Sequence, residues 1–459
     1  MEQITKPHCG ARLDRLPDCR WHSSMFAIVA FGLLVCWSNA VGGLILAQLK
    51  ALGWTDNSTT ATFSAITTAG MFLGALVGGI IGDKTGRRNA FILYEAIHIA
   101  SMVVGAFSPN MDFLIACRFV MGVGLGALLV TLFAGFTEYM PGRNRGTWSS
   151  RVSFIGNWSY PLCSLIAMGL TPLISAEWNW RVQLLIPAIL SLIATALAWR
   201  YFPESPRWLE SRGRYQEAEK VMRSIEEGVI RQTGKPLPPV VIADDGKAPQ
   251  AVPYSALLTG VLLKRVILGS CVLIAMNVVQ YTLINWLPTI FMTQGINLKD
   301  SIVLNTMSMF GAPFGIFIAM LVMDKIPRKT MGVGLLILIA VLGYIYSLQT
   351  SMLLITLIGF FLITFVYMSV CYASAVYVPE IWPTEAKLRG SGLANAVGRI
   401  SGIAAPYAVA VLLSSYGVTG VFILLGAVSI IVAIAIATIG IETKGVSVES
   451  LSIDAVANK

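Results

Sequence analysis

Apolar residues in this chain come in long unbroken runs rather than in the alternating or one-sided stripes of a water-soluble domain. Twelve stretches stand out, at 25–49, 62–82, 89–107, 112–135, 148–171, 181–201, 265–287, 301–323, 330–348, 353–377, 391–413 and 418–440. Each is long enough to cross roughly 30 Å of hydrocarbon at about 1.5 Å per residue. Lipid offers no partner for an unpaired backbone, and no run shows the every-other-residue alternation of a barrel strand, so every run predicts a helix. The expected fold class is an all-α membrane protein with twelve transmembrane helices in two six-helix parallel repeats. The first run, Met25–Leu49, is too long for the apolar core of a cleavable signal and reads as a retained span.

Between the sixth and seventh runs the pattern changes. Ala218, Val221, Met222, Ile225 and Val229 recur at helical spacing, and Glu219 precedes Arg223 by four residues, which predicts a short amphipathic surface helix. Pro236–Pro253, rich in Pro, Asp and Gly, predicts a linker. The expected organisation is a cytoplasmic N-terminal tail (1–24), a six-helix bundle (25–201), a cytoplasmic central loop (202–264), a second six-helix bundle (265–440) and a cytoplasmic C-terminal tail (441–459).

Composition supports lipid as the solvent. Of 459 residues 56% are hydrophobic and only 12% charged, against about 25% charged in a typical soluble domain. The net charge of +9 sets topology rather than a partner. Arg12, Arg15, Arg20, Lys84, Arg87, Arg88, Arg143, Arg145, Lys325, Arg328 and Lys329 fall on one side of the runs, while Lys50, Lys299 and Arg181 fall on the other. The positive-inside rule places both termini in the cytoplasm. Basic residues do not cluster with interleaved aromatics, which excludes a nucleic-acid groove. The seven cysteines are scattered without a CxxC pair and read as small buried hydrophobes, with no metal site or cofactor implied.

The two halves rhyme. Asp83-Lys84-x-x-Arg87-Arg88 follows span two and Asp324-Lys325-x-x-Arg328-Lys329 follows span eight, 241 positions later. Glu138-x-x-Pro141 with Arg145-Gly146 follows span four, and Glu380-x-x-Pro383 with Arg389-Gly390 follows span ten, at a spacing of 242 between the glutamates. A near-constant offset across two motifs indicates duplication. The second copy is degenerate, with Pro327 in place of Gly86 and Met320 in place of Gly79.

These residues, together with Arg118-Phe-Val-Met-Gly122-Val-Gly124, Pro203-Glu204-Ser205-Pro206-Arg207-Trp208-Leu209 and Glu442-Thr443-Lys444-Gly445, resemble the motifs of the major facilitator superfamily, most closely its sugar-porter-like branch. The chain looks like an enterobacterial inner-membrane metabolite transporter of that type. The resemblance covers nearly the whole chain and implies a secondary transporter working by alternating access. Asp83, Glu138, Glu204, Asp324 and Glu380 would face Arg87, Arg88, Arg145, Arg207, Arg328 and Arg389 in a cytoplasmic ion-pair layer that closes the inside and releases when the halves rock. Pairs this exposed contribute only about 0–1 kcal/mol apiece, so several together make a reversible latch. The bland alternative is a set of ordinary topology-setting loop charges.

Polar residues inside apolar spans are costly and mark the path of the cargo. Asn277, Tyr281 and Asn285 form one stripe on span seven, with Gln280 alongside; Ser153, Asn157 and Tyr160 form another on span five, next to Trp158. Trp37, Ser38 and Asn39 lie in span one and Asn395 in span eleven. Amides, hydroxyls and aromatic faces suit a sugar, polyol or similar small polar metabolite, although helix–helix hydrogen bonding uses the same groups. Arg118 and Arg399 are the intramembrane cations and Glu95 the clearest carboxylate, with His98 one turn away. Proton-coupled sugar porters commonly place an aspartate in span one opposite the span-four arginine; here that region offers Ser38 and Asn39. Transport is then either facilitated diffusion or coupled to protons through another group, for which Glu95 is the candidate. Alternatively Arg118 or Arg399 is completed by an anionic cargo such as a sugar acid or aromatic carboxylate.

No nucleophile–base arrangement appears in the spans, so an enzyme is not expected. A non-transporting membrane sensor is a weaker reading, since the tails are short. A monomer in the inner membrane, with the lipid bilayer and a small molecule as its partners, is the expectation.

Overall fold

The computed structural model describes residues 7–17, 19–35, 37–141, 145–240, 253–383 and 386–444. Cys36, Arg143, most of the predicted linker and the positions after Lys444 lie outside those residues, as does the side chain of Arg145. Among the described residues there is no strand.

A short helix, α1 (Cys9–Asp14), precedes α2 (Arg20–Val35) and α3 (Gly42–Ala51), which together form the first span, interrupted over 37–41. Spans two to four are α4 (Asn57–Thr85), α5 (Arg87–Ala106) and α6 (Met111–Tyr139). The fifth is α7 (Arg145–Asn157) and α8 (Ser159–Leu170), broken at Trp158, and the sixth is α9 (Ala176–Tyr201). The stretch that follows holds α10 (Pro206–Ser211), α11 (Tyr215–Thr233) and a single turn, α12 (Tyr254–Leu257). Span seven is α13 (Gly260–Thr293); span eight is α14 (Leu298–Met309) with α15 (Gly311–Val322); span nine is α16 (Arg328–Ser347). Span ten, α17 (Met352–Val370), runs through a π-helical stretch (Cys371–Tyr377) into α18 (Val378–Glu380). The long α19 (Lys387–Ile439) contains spans eleven and twelve, separated at Gly417, whose φ of 64° and ψ of −159° are not helical. Among the described residues these helices make twelve spans, and the chain is an all-α membrane protein.

Small residues explain how these helices approach one another. On α4, Gly70, Gly74 and Gly78 lie one turn apart and face Phe119, Val123 and Ala127 of α6; a Cβ on Gly74 would come within 2.0 Å of the Val123 carbonyl oxygen. With no hydrophobic drive between helices in lipid, such close backbone contact supplies the packing energy. The opposite face of α4 carries Leu73, Leu76, Val77 and Ile80, all exposed. Apolar surface on that scale is a liability in water and is the natural outer face in a bilayer.

The same device recurs 241 positions on. Gly311 and Gly315 of α15 face Phe360 and Thr364 of α17, with a Cβ reaching 2.4 Å and 2.3 Å from their carbonyl oxygens, as Gly70 and Gly74 face Phe119 and Val123. The offset is therefore constant through these helices and grows to 242 only at Glu380. The π-helical stretch lies between Thr364 and Glu380, and a π turn holds one residue more than an α turn. It absorbs the extra position.

Packing divides the chain into two compact units. One comprises Met1–Asn39, Gly70–Ser159 and Leu184–Gly246; the other comprises Ala40–Ala69, Tyr160–Gln183 and Lys247–Lys459. In the first unit, the predicted amphipathic helix is α11, and Ala218, Met222, Ile225 and Val229 are buried as the periodicity requires. They cover Cys9, Leu13 and Leu16 of the N-terminal segment. Arg12 joins this layer by ion pairs to Glu219 and Glu226, the latter at 2.6 Å, and Arg15 reaches Glu226 at 2.6 Å. Burial pushes the Glu226 carboxyl up, but hydrogen bonds from Arg12 and Arg15 prevail and hold it below the ordinary carboxylate value. In the second unit, Arg181 sits over the Trp180 ring at 4.4 Å, with Trp54 and Trp178 near its guanidinium, a cation–aromatic cluster of the kind that suits a membrane interface.

Candidate functional site

At the basic edge of the first unit, Arg87 opens α5 and gathers the motif carboxylates. Its guanidinium pairs with Asp83 at 2.7 Å and with Glu138 at 2.8 Å. Glu204 caps the same helix: its Oε1 accepts from the backbone N–H of Arg87 at 2.7 Å and of Arg88 at 3.2 Å, orphan donors that a helix start must satisfy. Gly86, at φ 97°, makes room, since a Cβ there would fall 2.2 Å from the Glu204 carboxylate. Trp208 Nε1 and Arg212 bind the Asp83 carbonyl. Arg207 is directed elsewhere, to Asp14 at 3.0 Å and to the Glu138 carbonyl, and Arg88 donates to the Trp199 carbonyl.

The second unit repeats the arrangement around Arg328. It pairs with Asp324 at 3.1 Å and Glu380 at 3.0 Å, and Glu442 accepts from the N–H groups of Arg328 at 2.8 Å and Lys329 at 3.1 Å. Burial pushes the Glu442 carboxyl up, and these backbone donors, joined by Lys444, bring it below its ordinary value. Arg389 lies over the Tyr254 ring at 5.2 Å. Glu442 is the counterpart of Glu204. The motif at the end of span twelve contained it, but nothing in the sequence assigned it a partner.

Deep in the first unit a second constellation forms where the first span is broken. Ser38 sits in the turn and is held at both ends: its carbonyl accepts from Arg118 Nη1 at 2.7 Å, and its hydroxyl is 2.7 Å from His98 Nε2. His98 Nδ1 in turn lies 3.5 Å from Glu95 Oε2. All four residues are buried, Glu95 and His98 completely. Neither Glu95 oxygen has a hydrogen-bond partner. Gly124 of α6 packs against the His98 backbone, a Cβ there coming 3.0 Å from its nitrogen, which fixes the imidazole's position. Asn39 lies half-buried beside this cluster in sequence. Ser153, Asn157 and Trp158 belong to the same unit, with Asn157 donating to the Ser153 carbonyl and Trp158 exposed at the α7–α8 break.

The span-seven stripe lies in the second unit. Asn277 and Asn285 are buried and Gln280 and Tyr281 half-buried. Asn277 gives its amide N–H to the Leu273 carbonyl one turn back, and Asn395 on α19 does the same to Ser391, so each keeps its amide oxygen for another donor. Gly398 and Gly402 of α19 seat against Asn277 and Tyr281, and Gly43 of α3 lies so close to α13 that a Cβ would be 2.4 Å from the Ile284 carbonyl oxygen. Tyr160 meets Tyr367 edge-on at 5.3 Å between ring centroids, with Gln280 and Tyr281 adjacent to the pair. Tyr367 was not legible beforehand, because a lone tyrosine in an apolar run gives no periodic signal. Arg399 is half-buried, and its Nη1 has no hydrogen-bond partner.

The family model of the Major Facilitator Superfamily matches residues 25–406. The chain belongs to that superfamily. Among similar proteins, the inner membrane metabolite transport protein YdjE of Escherichia coli is 44% identical over 98% of this chain and 99% of its own length. The niacin transporter NiaP of Acinetobacter baylyi is 26% identical over 96% and 99%. The xylose transporter XylE of Escherichia coli, in an inward open conformation, matches with a TM-score of 0.75 at 17% identity, covering 94% of this chain and 99% of that one; this likeness is one of fold. The duplicated edge clusters and the polar residues inside the spans are thus features of a major facilitator transporter. Among the described residues no group of His, Cys, Asp and Glu is placed to hold a metal ion.

Proposed function

We propose that this protein carries a small, polar, neutral metabolite, of the sugar or polyol kind, across the bacterial inner membrane by alternating access, with both termini cytoplasmic. The observation that carries the reading is the amide and phenol face of the second unit: Gln280 and Tyr281 beside the Tyr160–Tyr367 pair, with Asn277 one turn before Tyr281 on α13. Amide oxygens and phenol hydroxyls match the donor–acceptor pattern of a polyhydroxy compound, and aromatic faces pack against its ring carbons. Such a face is apolar enough for lipid-embedded helices and polar enough to replace a cargo's hydration shell. Asp83, Arg87, Glu138, Glu204, Asp324, Arg328, Glu380 and Glu442 are assigned to conformational gating at the cytoplasmic edge.

The test is counterflow in proteoliposomes across a panel of sugars, polyols and small carboxylates. Exchange of a neutral compound that falls at least tenfold in Gln280→Leu and Asn277→Leu supports the reading, and a panel with no exchange at all removes it. A second reading, an organic-anion carrier, is favoured by Arg399, whose buried Nη1 lacks a hydrogen-bond acceptor. An unsatisfied cation in a span is costly unless a ligand completes it. Loss of carboxylate exchange in Arg399→Gln, with neutral compounds unaffected, selects that reading.

A further inference from the structure

We propose that Glu95 and His98 bind an exchangeable proton inside the membrane, and that Ser38 transmits its presence to the break in the first span. The proposal rests on the carrier reading and adds its coupling ion.

Repetition supplies the first argument. The helices α5 and α16 superpose in sequence at an offset of 241, as do α6 and the α17 segment ahead of the π turn. In the second copy Leu336 stands for Glu95, Ile339 for His98 and Gly359 for Arg118. Leu336 and Ile339 are buried in their own unit. The fold therefore packs well with aliphatic side chains at these positions, and the charged set in the first copy is not a requirement of architecture. Buried ionisable groups are expensive in a membrane and are kept for function.

Hydrogen-bond chemistry supplies the second. A neutral imidazole whose Nδ1–H points at Glu95 presents a lone pair at Nε2, and the Ser38 hydroxyl donates to it. When a hydronium ion gives up a proton to His98 Nε2, one O–H bond breaks, one N–H bond forms and water is left behind, and both ring nitrogens are then donors. Nε2–H then donates to Ser38 Oγ, and the hydroxyl hydrogen must turn to another acceptor. Because Ser38 lies in the non-helical turn over 37–41, a reoriented hydroxyl acts where the backbone is least fixed by a helical ladder. Arg118 holds the Ser38 carbonyl at 2.7 Å in either state, so the residue keeps its place while its side chain changes role.

The surroundings contain few competing groups. On α5 itself Tyr94 is committed to the Gly78 carbonyl of α4 at 2.9 Å. The packed face of α6 offers Arg118 and Cys117, and α4 has no titratable side chain between Asn57 and Gly82. The separation of 3.5 Å between His98 Nδ1 and Glu95 Oε2 is short enough for a proton to be shared after a small rotation of either side chain.

The test needs no identified cargo. Purified protein in lipid nanodiscs is titrated while the nitrogen-15 resonances of the His98 imidazole are followed, alongside amide hydrogen exchange of the 37–41 segment compared between variants at matched pH. Wild type is expected to form a His98 imidazolium on acidification, and Glu95→Gln, which removes the carboxylate facing Nδ1, should form it only at lower pH. Ser38→Ala should keep the imidazole titration but lose the pH-linked change in exchange at 37–41, and Ser38→Thr should restore it. The double replacement Glu95→Leu with His98→Ile, copied from the second repeat, should fold with the wild-type melting temperature and show neither response. An identical titration in wild type and Glu95→Gln overturns the proton site; a segment response that persists in Ser38→Ala overturns the role of Ser38. Counterflow requires no proton gradient, so its presence beside an unaltered titration strikes the coupling proposal alone, and its absence for every compound strikes the carrier reading alone.

Discussion

The two copies of the repeat agree at the basic edge and diverge inside the membrane. Arg87 and Arg328 each gather an aspartate one turn back and a glutamate from the end of the next span, and each opens a helix capped by a third carboxylate, Glu204 or Glu442. Half a span deeper, Glu95, His98 and Arg118 in one copy correspond in sequence to Leu336, Ile339 and Gly359 in the other. Features that recur in both halves answer needs that both halves share, namely terminating and capping helices at a polar boundary. Features present in only one are where the two copies depart from symmetry, and the proton site proposed above lies among them.

Even at the edge the copies differ in backbone, and this gives the largest expected effect. Gly86 holds φ 97° and ψ 163°, a region that glycine alone occupies at little cost, whereas Pro327 starts the second copy at φ −56°. Gly86→Ala combines strain of roughly 1–3 kcal/mol with displacement of the Glu204 carboxylate, and should lower the thermal midpoint in detergent markedly. Pro327→Ala should cost about 0.5 kcal/mol, by freeing the unfolded chain. Equal midpoints for the two variants would break the comparison.

The caps come next. Glu204→Ala and Glu442→Ala each leave three backbone N–H groups without their carboxylate, those of Arg87, Arg88 and Ser205 in the first copy and of Arg328, Lys329 and Lys444 in the second. Losses of about 2 kcal/mol in both are expected from cap and charge-assisted bonds, read as thermal midpoints. A silent Glu442→Ala would show that the second cluster does not share the first one's role.

Much of this scheme was legible from residue order. Span positions followed from run length, and the repeat followed from two motif offsets. The one-residue difference between those offsets was visible, but its cause, the π-helical stretch at Cys371–Tyr377, was not, because no residue there forbids an ordinary α turn. The interruption at 37–41 was equally silent: Trp37-Ser38-Asn39-Ala40-Val41 contains neither Pro nor Gly, and the turn is held by tertiary bonds from Arg118 and His98. Pairing of Ser38 with His98, sixty positions apart, has no periodic signature. Sequence pattern reports which faces are apolar, and it does not report which polar groups a fold will bring together.

A smaller effect involves the N-terminal segment, which docks on α11 in the first unit. Arg12→Ala should cost about 1–2 kcal/mol of local stability and expose α1 to limited proteolysis at neutral pH. The wild-type contact should show a matching pH dependence. Glu219 and Glu226 are both held below the ordinary carboxylate value: burial raises them, and hydrogen bonds from Arg12, with Arg223 at Glu219 and Arg15 at Glu226, outweigh it. Groups lowered on folding stabilise above their unfolded value and lose that contribution as pH falls through the folded one. Protection of α1 should therefore be full at neutral pH and disappear on acidification below the carboxylate range; protection that weakens on raising the pH instead would remove these pairs as its source.

The finest distinction lies in the two aspartates. Asp83 is 64% exposed and Asp324 is 91% exposed, so neither ion pair is worth more than about 1 kcal/mol, and Asp83→Asn and Asp324→Asn should leave thermal midpoints nearly unchanged. Their effect on turnover should differ. The Asp83 backbone is gripped by Trp208 and Arg212, so its carboxylate acts from a fixed position in a cluster that also joins α10, while Asp324 reaches Arg328 from an almost fully solvated one. Initial counterflow rates should fall several-fold in Asp83→Asn and little in Asp324→Asn. Such a result, with stability unchanged in both, would place the gate's asymmetry in the first copy; normal rates in Asp83→Asn would leave the edge clusters as helix caps and nothing more.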